Sequence, residues 1–349
     1  MKGASADLHG GESRWSRLTR RMISIPAVIA LAAGLALLLP LWLPIAVAAD
    51  LIKWKPRLPL TRLLLFGLCW AWIEIAGLAR SLGAWVTGRA GDRDLHYELM
   101  TWWTNALMNA LRATTGLQVV VEGGEAVEKG DAVVLARHAS LADSLVTAWV
   151  FCSHSGLEPR YVLKRELLAD PCLDVVGHRV PNVFIDRTAS DGGPELAKIS
   201  ALATDLGSEA VCVIFPEGTR VSDAKRERAL SKITERDAER AERMAALTHL
   251  LPPRPAGSTA LLAGAPDADV VLMWHTGFDG LHDFRGILQK LAHRPAPVKV
   301  AARRVPRADV PSRAGVAAWL DEQWLRMDAE VRAELGACTV PGGPARTRT

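Results

Sequence analysis

No C-x-x-C pair occurs in this 349-residue sequence: its five cysteines stand apart at positions 69, 152, 172, 212 and 338. That spacing offers neither a zinc knuckle nor a dithiol redox pair. Cys69 and Cys212 fall in apolar runs that suit buried thiols, so no disulfides and a reducing compartment are expected. There is no Gly-x4-Gly-Lys-Ser/Thr loop, which removes P-loop phosphoryl transfer. A hydrolytic metal site would draw on His138, Asp143, His154 and His178. These lack the i, i+4 histidine pair of a metalloprotease helix, so no metal is expected. Zinc-finger and RNA-binding signatures and internal repeats are also missing. Finally, no charged side chain occurs from Met22 to Ala49.

That uncharged run exceeds the roughly 20 apolar residues needed to span a bilayer. It is also longer than the h-region of a cleaved signal peptide, about 7 to 15 residues, which makes cleavage the second reading. A second stretch, Leu63 to Leu78, is shorter and contains Glu74; it reads as the other arm of a hairpin or as an interfacial helix. Pro40 and Pro44 are expected to bend the first arm. Residues 1 to 62 carry nine Lys and Arg against three acidic groups, whereas the whole chain is only +4. The basic field thus lies beside the apolar segments and suits anionic lipid headgroups rather than a nucleic-acid groove. Basic residues flank both sides of the first arm, so charge alone sets no orientation. Nine of the twelve tryptophans occur by position 149, where indoles serve a headgroup boundary or ordinary core packing.

Beyond residue 92 helical and strand patterns alternate. Helices are expected at 94–112, 141–152, 194–206 and 312–335, strands at 117–122, 131–136, 160–164, 210–215 and 270–274, with a short helix at 258–263. The charge-dense stretch from Ser222 to Leu250 reads as a solvated amphipathic helix. The expected fold is α/β, a mixed sheet flanked by helices and preceded by an N-terminal membrane helical hairpin. The chain divides into a basic tail (1–21), the hairpin (22–92), the α/β domain (93–310) and a C-terminal helix with a disordered tail (311–349).

Two runs carry the chemistry. Arg137-His-Ala-Ser-Leu-Ala-Asp143 puts an imidazole and a carboxylate at the mouth of a predicted helix, and Phe215-Pro-Glu-Gly-Thr-Arg220 follows downstream. A base with a carboxylate to orient it is the minimum equipment for taking a proton from an alcohol. A Gly-containing turn ending in Arg suits a phosphate. A capping box, with Ser140 at the N-cap and Asp143 at the third helical position, explains Asp143 without any chemistry. The two roles are compatible, because a carboxylate in a helix's first turn is held as the anion.

With Phe184-Ile-Asp-Arg187, Tyr161-Val-Leu-Lys-Arg-Glu-Leu167 and Leu250-Leu-Pro-Pro-Arg254 followed by Gly257, these runs resemble the lysophospholipid acyltransferase superfamily over residues 95 to 275. That superfamily includes the 1-acyl-sn-glycerol-3-phosphate acyltransferases, and the last block looks like the lysocardiolipin acyltransferase-like branch. The resemblance implies that His138 is the catalytic base and Asp143 its orienting partner. It assigns acceptor binding to Arg187, Glu217, Gly218, Thr219 and Arg220, and a phosphate contact to Lys164. Thr219 serves equally well as a cap for the following helix. The family commonly has Asn where Arg137 stands, a departure that implies altered acceptor choice. Direct attack on a thioester needs no enzyme nucleophile, so Ser140 and Cys152 form no covalent intermediate.

The implied activity is acyl transfer from acyl-CoA or acyl-ACP to the hydroxyl of lysophosphatidic acid, giving phosphatidic acid, with another lysophospholipid as the alternative acceptor. No cofactor is implied beyond the acyl thioester donor. The partners are membrane phospholipid and these substrates, and not nucleic acid. The expected location is the cytoplasmic or inner membrane, with the catalytic domain on the cytoplasmic side. A non-catalytic lipid-binding membrane protein is the alternative from another class.

Overall fold

The computed structural model describes residues 12–186, 192–281, 284–293 and 296–339. The first half of the basic tail lies outside them, as does the expected disordered C-terminal tail from residue 340 on, whereas residues 336–339, expected in that tail, continue the last helix.

Three helices come first, α1 (Arg14–Leu37), α2 (Leu39–Ile52) and α3 (Pro59–Val86). Of these, α1 and α3 are long and apolar enough to cross a membrane, and most of their surface is not covered by protein. Ile23, Ile29 and Leu37 of α1 and Trp72 and Leu82 of α3 face outward. Each such side chain left in water forgoes about 1.5–3 kcal/mol of burial, so this surface suits lipid. The stretch expected as a two-armed hairpin is therefore two long arms with a third helix between them. Its first arm starts at Arg14, within the stretch expected as tail, where Ser13 caps it by accepting the Ser16 N–H at 3.0 Å. Arg20 and Arg21 are docked as well, donating to the buried carboxylate of Asp174 at 2.8 and 3.2 Å. Asp50, at the end of α2, accepts the N–H groups of Leu60 and Thr61 at 3.2 and 2.9 Å and so caps α3. Glu74 does not make α3 interfacial. Its side chain turns inward, accepting from Trp103 Nε1 at 2.8 Å and from the Cys172 N–H at 3.1 Å, which ties the arm to the body.

The body opens with α4 (Arg93–Thr115). Seven strands follow: β1 (Val119–Glu122), β2 (Ala132–Ala136), β3 (Glu158–Lys164), β4 (Asn182–Ile185), β5 (Ala210–Ile214), β6 (Asp269–Thr276) and β7 (Val298–Val305). Their order in the sheet is β1-β7-β6-β2-β5-β3-β4. Strands β2 to β6 run parallel, and β7 is antiparallel to β6 and parallel to β1, so the sheet is mixed. Every residue of β2 and β5 is buried, which is why both read as unbroken apolar runs rather than alternating ones.

Between the strands lie α5 (Asp143–Trp149), α6 (Pro171–Val176), α7 (Gly193–Ala203), α8 (Asp223–Thr234), α9 (Ala238–Met244), α10 (Pro255–Gly264) and α11 (Phe284–Ala292), and α12 (Val316–Thr339) ends the described chain. Alternate strand residues feed opposite faces. Val133, Leu135, Cys212 and Ile214 pack with Leu202 of α7, Leu261 of α10 and Trp324 of α12. Val134, Val211 and Val213 pack with Met108 of α4 and Val146 of α5. Because Leu320, Trp324, Met327 and Val331 of α12 are core residues, the C-terminal helix belongs to the α/β body rather than to a segment of its own. The single helix expected over Ser222 to Leu250 is two. Asp237 interrupts it and caps α9, accepting the Arg240 N–H at 2.9 Å.

Candidate active site

Parallel strands β2, β5, β3 and β4 end on one rim of the sheet, the rim where α/β folds gather ligands. The chain leaves β2 at Arg137, and the next six residues turn back to start α5 at Asp143. The helix thus begins two residues later than a capping box at Ser140 requires. Ser140 and Asp143 still satisfy each other: the Ser140 N–H donates to Asp143 Oδ2 at 2.8 Å, the Ser140 hydroxyl donates to Oδ1, and Ser140 Oγ accepts the Ala142 N–H at 3.1 Å.

That turn supplies the bend by which residues five apart meet. His138 Nδ1 lies 2.8 Å from Asp143 Oδ2, and the Ala139 N–H donates to the same oxygen at 2.6 Å. The Asp143 side chain is fully buried whereas the His138 ring is 18% exposed, so the imidazole connects a hidden carboxylate to the surface. Burial alone would raise the Asp143 carboxyl. The imidazoles of His275 and His138 override it and hold the group well below the usual carboxylate range. His275, which the sequence reading did not select, donates from Nε2 to Asp143 Oδ1 at 2.8 Å.

The second run is wrapped around the first. Glu217 Oε1 accepts the His138 N–H at 2.8 Å, the His138 carbonyl accepts the Val221 N–H at 3.2 Å, and the Phe215 ring lies 4.9 Å from the imidazole. The other Glu217 oxygen accepts the Leu251 N–H at 3.0 Å. Glu217 is buried with both oxygens used, so its geometry is that of a brace on the His138 backbone rather than of an acceptor-binding group. Gly218 takes a left-handed φ of 73° and donates to the Phe215 carbonyl at 3.0 Å, closing the turn. Thr219 and Arg220 follow it, half-buried. The Arg220 carbonyl accepts Lys225 Nζ at 3.1 Å. Burial and the nearby Arg220 charge both push the Lys225 ammonium down, so the two cations lie close together on the segment that follows the turn. Lys164 ends β3 beside Ile185 of β4, on the same rim but two strands from β2. Arg187 lies outside the described residues.

Arg137 does not reach outward as a selector of acceptors. It is 1% exposed and donates to the His275 and His249 carbonyls at 2.5 and 3.2 Å and to Asp279 Oδ1 at 2.7 Å. The block from Leu250 to Arg254 closes the arrangement, the Arg254 N–H donating to the Pro216 carbonyl at 2.9 Å. From α12, Asp328 accepts the N–H groups of Thr248, His249 and Leu250 at 3.1, 2.6 and 2.9 Å. At the adjoining Gly257 a Cβ would stand 2.7 Å from the tip of the Ile214 side chain, which would have to shift to admit it.

Two apolar cavities adjoin this centre. One of about 230 Å³ is lined by Leu99, Trp103, Tyr161 and Leu163, and one of about 260 Å³ by Leu63, Phe66, Phe278 and Leu291; Leu141 and Leu145 line both. Among the described residues, no group of three or more His, Cys, Asp or Glu is placed to hold a metal ion.

The geometry therefore pairs a partly exposed base with a buried anion, near two apolar cavities. Residues 118–273 match the family model described as Acyltransferase. The chain is 28% identical over 185 residues to the 1-acyl-sn-glycerol-3-phosphate acyltransferase epsilon of Mus musculus, a match covering 53% of this chain and 48% of that protein. It thus spans about half the length of that curated relative. The fold is like that of the 1-acyl-sn-glycerophosphate (LPA) acyltransferase PlsC from Thermotoga maritima, with a TM-score of 0.50 at 17% identity over 78% of this chain and 97% of that one.

Proposed function

We propose that this chain, whose residues 118–273 match the Acyltransferase family model, is a membrane-bound O-acyltransferase of the lysophospholipid acyltransferase superfamily acting on lysophosphatidic acid. The observation that carries the reading is the contact of the partly exposed His138 ring with the buried Asp143 at 2.8 Å, braced through its backbone by Glu217.

In this reading His138 Nδ1–H donates to Asp143, leaving Nε2 as the base. Nε2 takes the proton of the acceptor hydroxyl as its oxygen attacks the thioester carbonyl. Collapse of the tetrahedral intermediate breaks the C–S bond, and the leaving thiolate takes the proton back from the imidazolium. The enzyme itself forms no covalent bond. Asp143 keeps the ring in the required tautomer and stabilises its charged form. Arg220, with Lys225 beside it, supplies positive charge for the acceptor phosphate, and Lys164 extends that role along the rim; Arg187 takes the same role on the resemblance alone. Acyl-CoA or acyl-ACP is the donor and no other cofactor is needed. The two cavities, both lined by Leu141 and Leu145, suit acyl chains. The catalytic body lies on the cytoplasmic side of the membrane, a placement that suits the free thiols of Cys152, Cys172 and Cys212.

The test is an acceptor panel with one labelled acyl-CoA and the purified protein in lipid vesicles. Phosphatidic acid formed from lysophosphatidic acid supports the reading. Transfer only to another lysolipid, such as lysocardiolipin, moves the chain to the branch that the Leu250 to Arg254 block resembles. Lysolipid binding with no transfer identifies a lipid-binding protein.

A further inference from the structure

We propose that His275 is a positioning residue for the catalytic pair: a fixed Nε2–H donor that shares the charge of Asp143 and so lowers the pH at which His138 becomes a free base. The inference rests on the acyl-transfer reading above.

Five donors converge on Asp143. His138 Nδ1 and the N–H groups of Ala139 and Ser140 approach Oδ2, while the Ser140 hydroxyl and His275 Nε2 approach Oδ1. The Ala139 and Ser140 donors come from the same turn and already fix the carboxylate in place. His275 comes from β6, 132 residues away, so orientation is not its distinct contribution. What it adds is a second imidazole donor to the same anion.

The proton on this ring can be located. The side chain is 5% exposed, Phe278 meets it edge-on at 5.3 Å, and the His275 carbonyl is held by Arg137. Its Nδ1 is buried with no hydrogen-bond partner among the described residues. An imidazolium would leave a charged N–H stranded there, whereas the neutral Nε2–H tautomer leaves only a lone pair, the cheaper burial. The ring is therefore a neutral donor. The titratable and charged groups around the unit are Asp143 itself, Arg137 at the His275 carbonyl and Asp279 on the following turn. On the His138 side they are Glu217, which contacts its backbone, and Arg220 beyond the turn.

A hydrogen bond to a carboxylate stabilises the anion and makes it a weaker acceptor for its other partner. With His275 in place, Asp143 therefore stabilises the His138 imidazolium less than it would alone. Removing His275 strengthens that pull and raises the affinity of His138 for its proton.

The experiment compares the pH dependence of kcat/KM for the wild type, His275→Leu and His275→Gln, with lysophosphatidic acid and acyl-CoA. His275→Leu should move the acid limb upward by about half to one pH unit, and His275→Gln, which keeps a side-chain N–H, should leave it near the wild-type position. An unmoved limb in the folded Leu variant, or Gln moving with Leu, overturns the proposal. The ¹⁵N-histidine spectrum of the wild-type protein in detergent tests it without any variant or activity. At neutral pH His275 should carry its proton on Nε2 with Nδ1 bare; a ring that carries its proton on Nδ1, or on both nitrogens, overturns the proposal. Absence of acyl transfer to every lysolipid refutes the function instead, and the spectrum still judges His275.

Discussion

Glu217 accepts the backbone N–H of His138 at 2.8 Å, so the two motif runs, 79 residues apart, form one structural unit. Burial pushes the Glu217 carboxyl up to about 8, against the two backbone N–H groups that favour its anion. Its folded value thus lies above its unfolded one. The associated stability is fully present below the unfolded value, about 4.3, and is lost as the pH rises towards about 8. Glu217→Gln cannot titrate. The melting temperature of this variant minus that of the wild type should therefore climb between about pH 5 and about pH 8 and then level off. A difference that stays flat across that range contradicts this description of the brace.

Arg137 tests scaffold against selectivity. Arg137→Ala strands the Asp279 carboxylate and two carbonyls, and should cost about 3 kcal/mol or more of stability, measured by denaturant unfolding. Arg137→Lys cannot fork to all three partners and should also melt lower, while its ranking of lysolipid acceptors matches the wild type. A changed ranking would restore Arg137 as a selector.

Covalent catalysis by a thiol is testable at Cys152. Burial pushes this thiol up to about 12, so it holds its proton at neutral pH and is a poor nucleophile. Cys152→Ala should turn over near the wild-type rate. Ser140 differs, because its hydroxyl donates to Asp143. Ser140→Ala should lose about tenfold in kcat, the scale of one hydrogen bond, and trapping with labelled acyl-CoA should yield no acyl-enzyme in either variant.

Asp328 lies far from His138 in sequence but organises the loop that contacts both Arg137 and Glu217. Asp328→Asn keeps the volume and removes the charge that three backbone N–H groups share. It should lower stability by about 1.5–3 kcal/mol and slow turnover without raising KM for the acyl donor. Initial-rate kinetics and a melting curve on one preparation check both.

The parts legible in the sequence are those whose signal is local. The unbroken apolar runs of β2 and β5 follow from burial on both sheet faces, and the His138 to Asp143 spacing needs only a turn before a helix. Other parts depend on partners distant in sequence. Strand β7 contains Lys299, Arg303 and Arg304, and no local pattern pairs it with β6; Arg304 is accommodated by Asp269 at 2.7 Å. His275 gives no local sign, because its partner is 132 residues away. Glu217 resembles a substrate ligand in sequence, since a carboxylate beside Gly218 and Arg220 looks polar and exposed. Only the fold reveals that two backbone N–H groups consume it. Arg137 misleads for the same reason.

The most direct test of the account is the turnover of purified His138→Ala in lipid vesicles with lysophosphatidic acid and acyl-CoA, beside a melting curve showing that the variant is folded. The account predicts a loss on the order of 10²- to 10⁴-fold in kcat, the scale of general-base removal, with the melting temperature little changed. Near-normal turnover by the folded variant would contradict it.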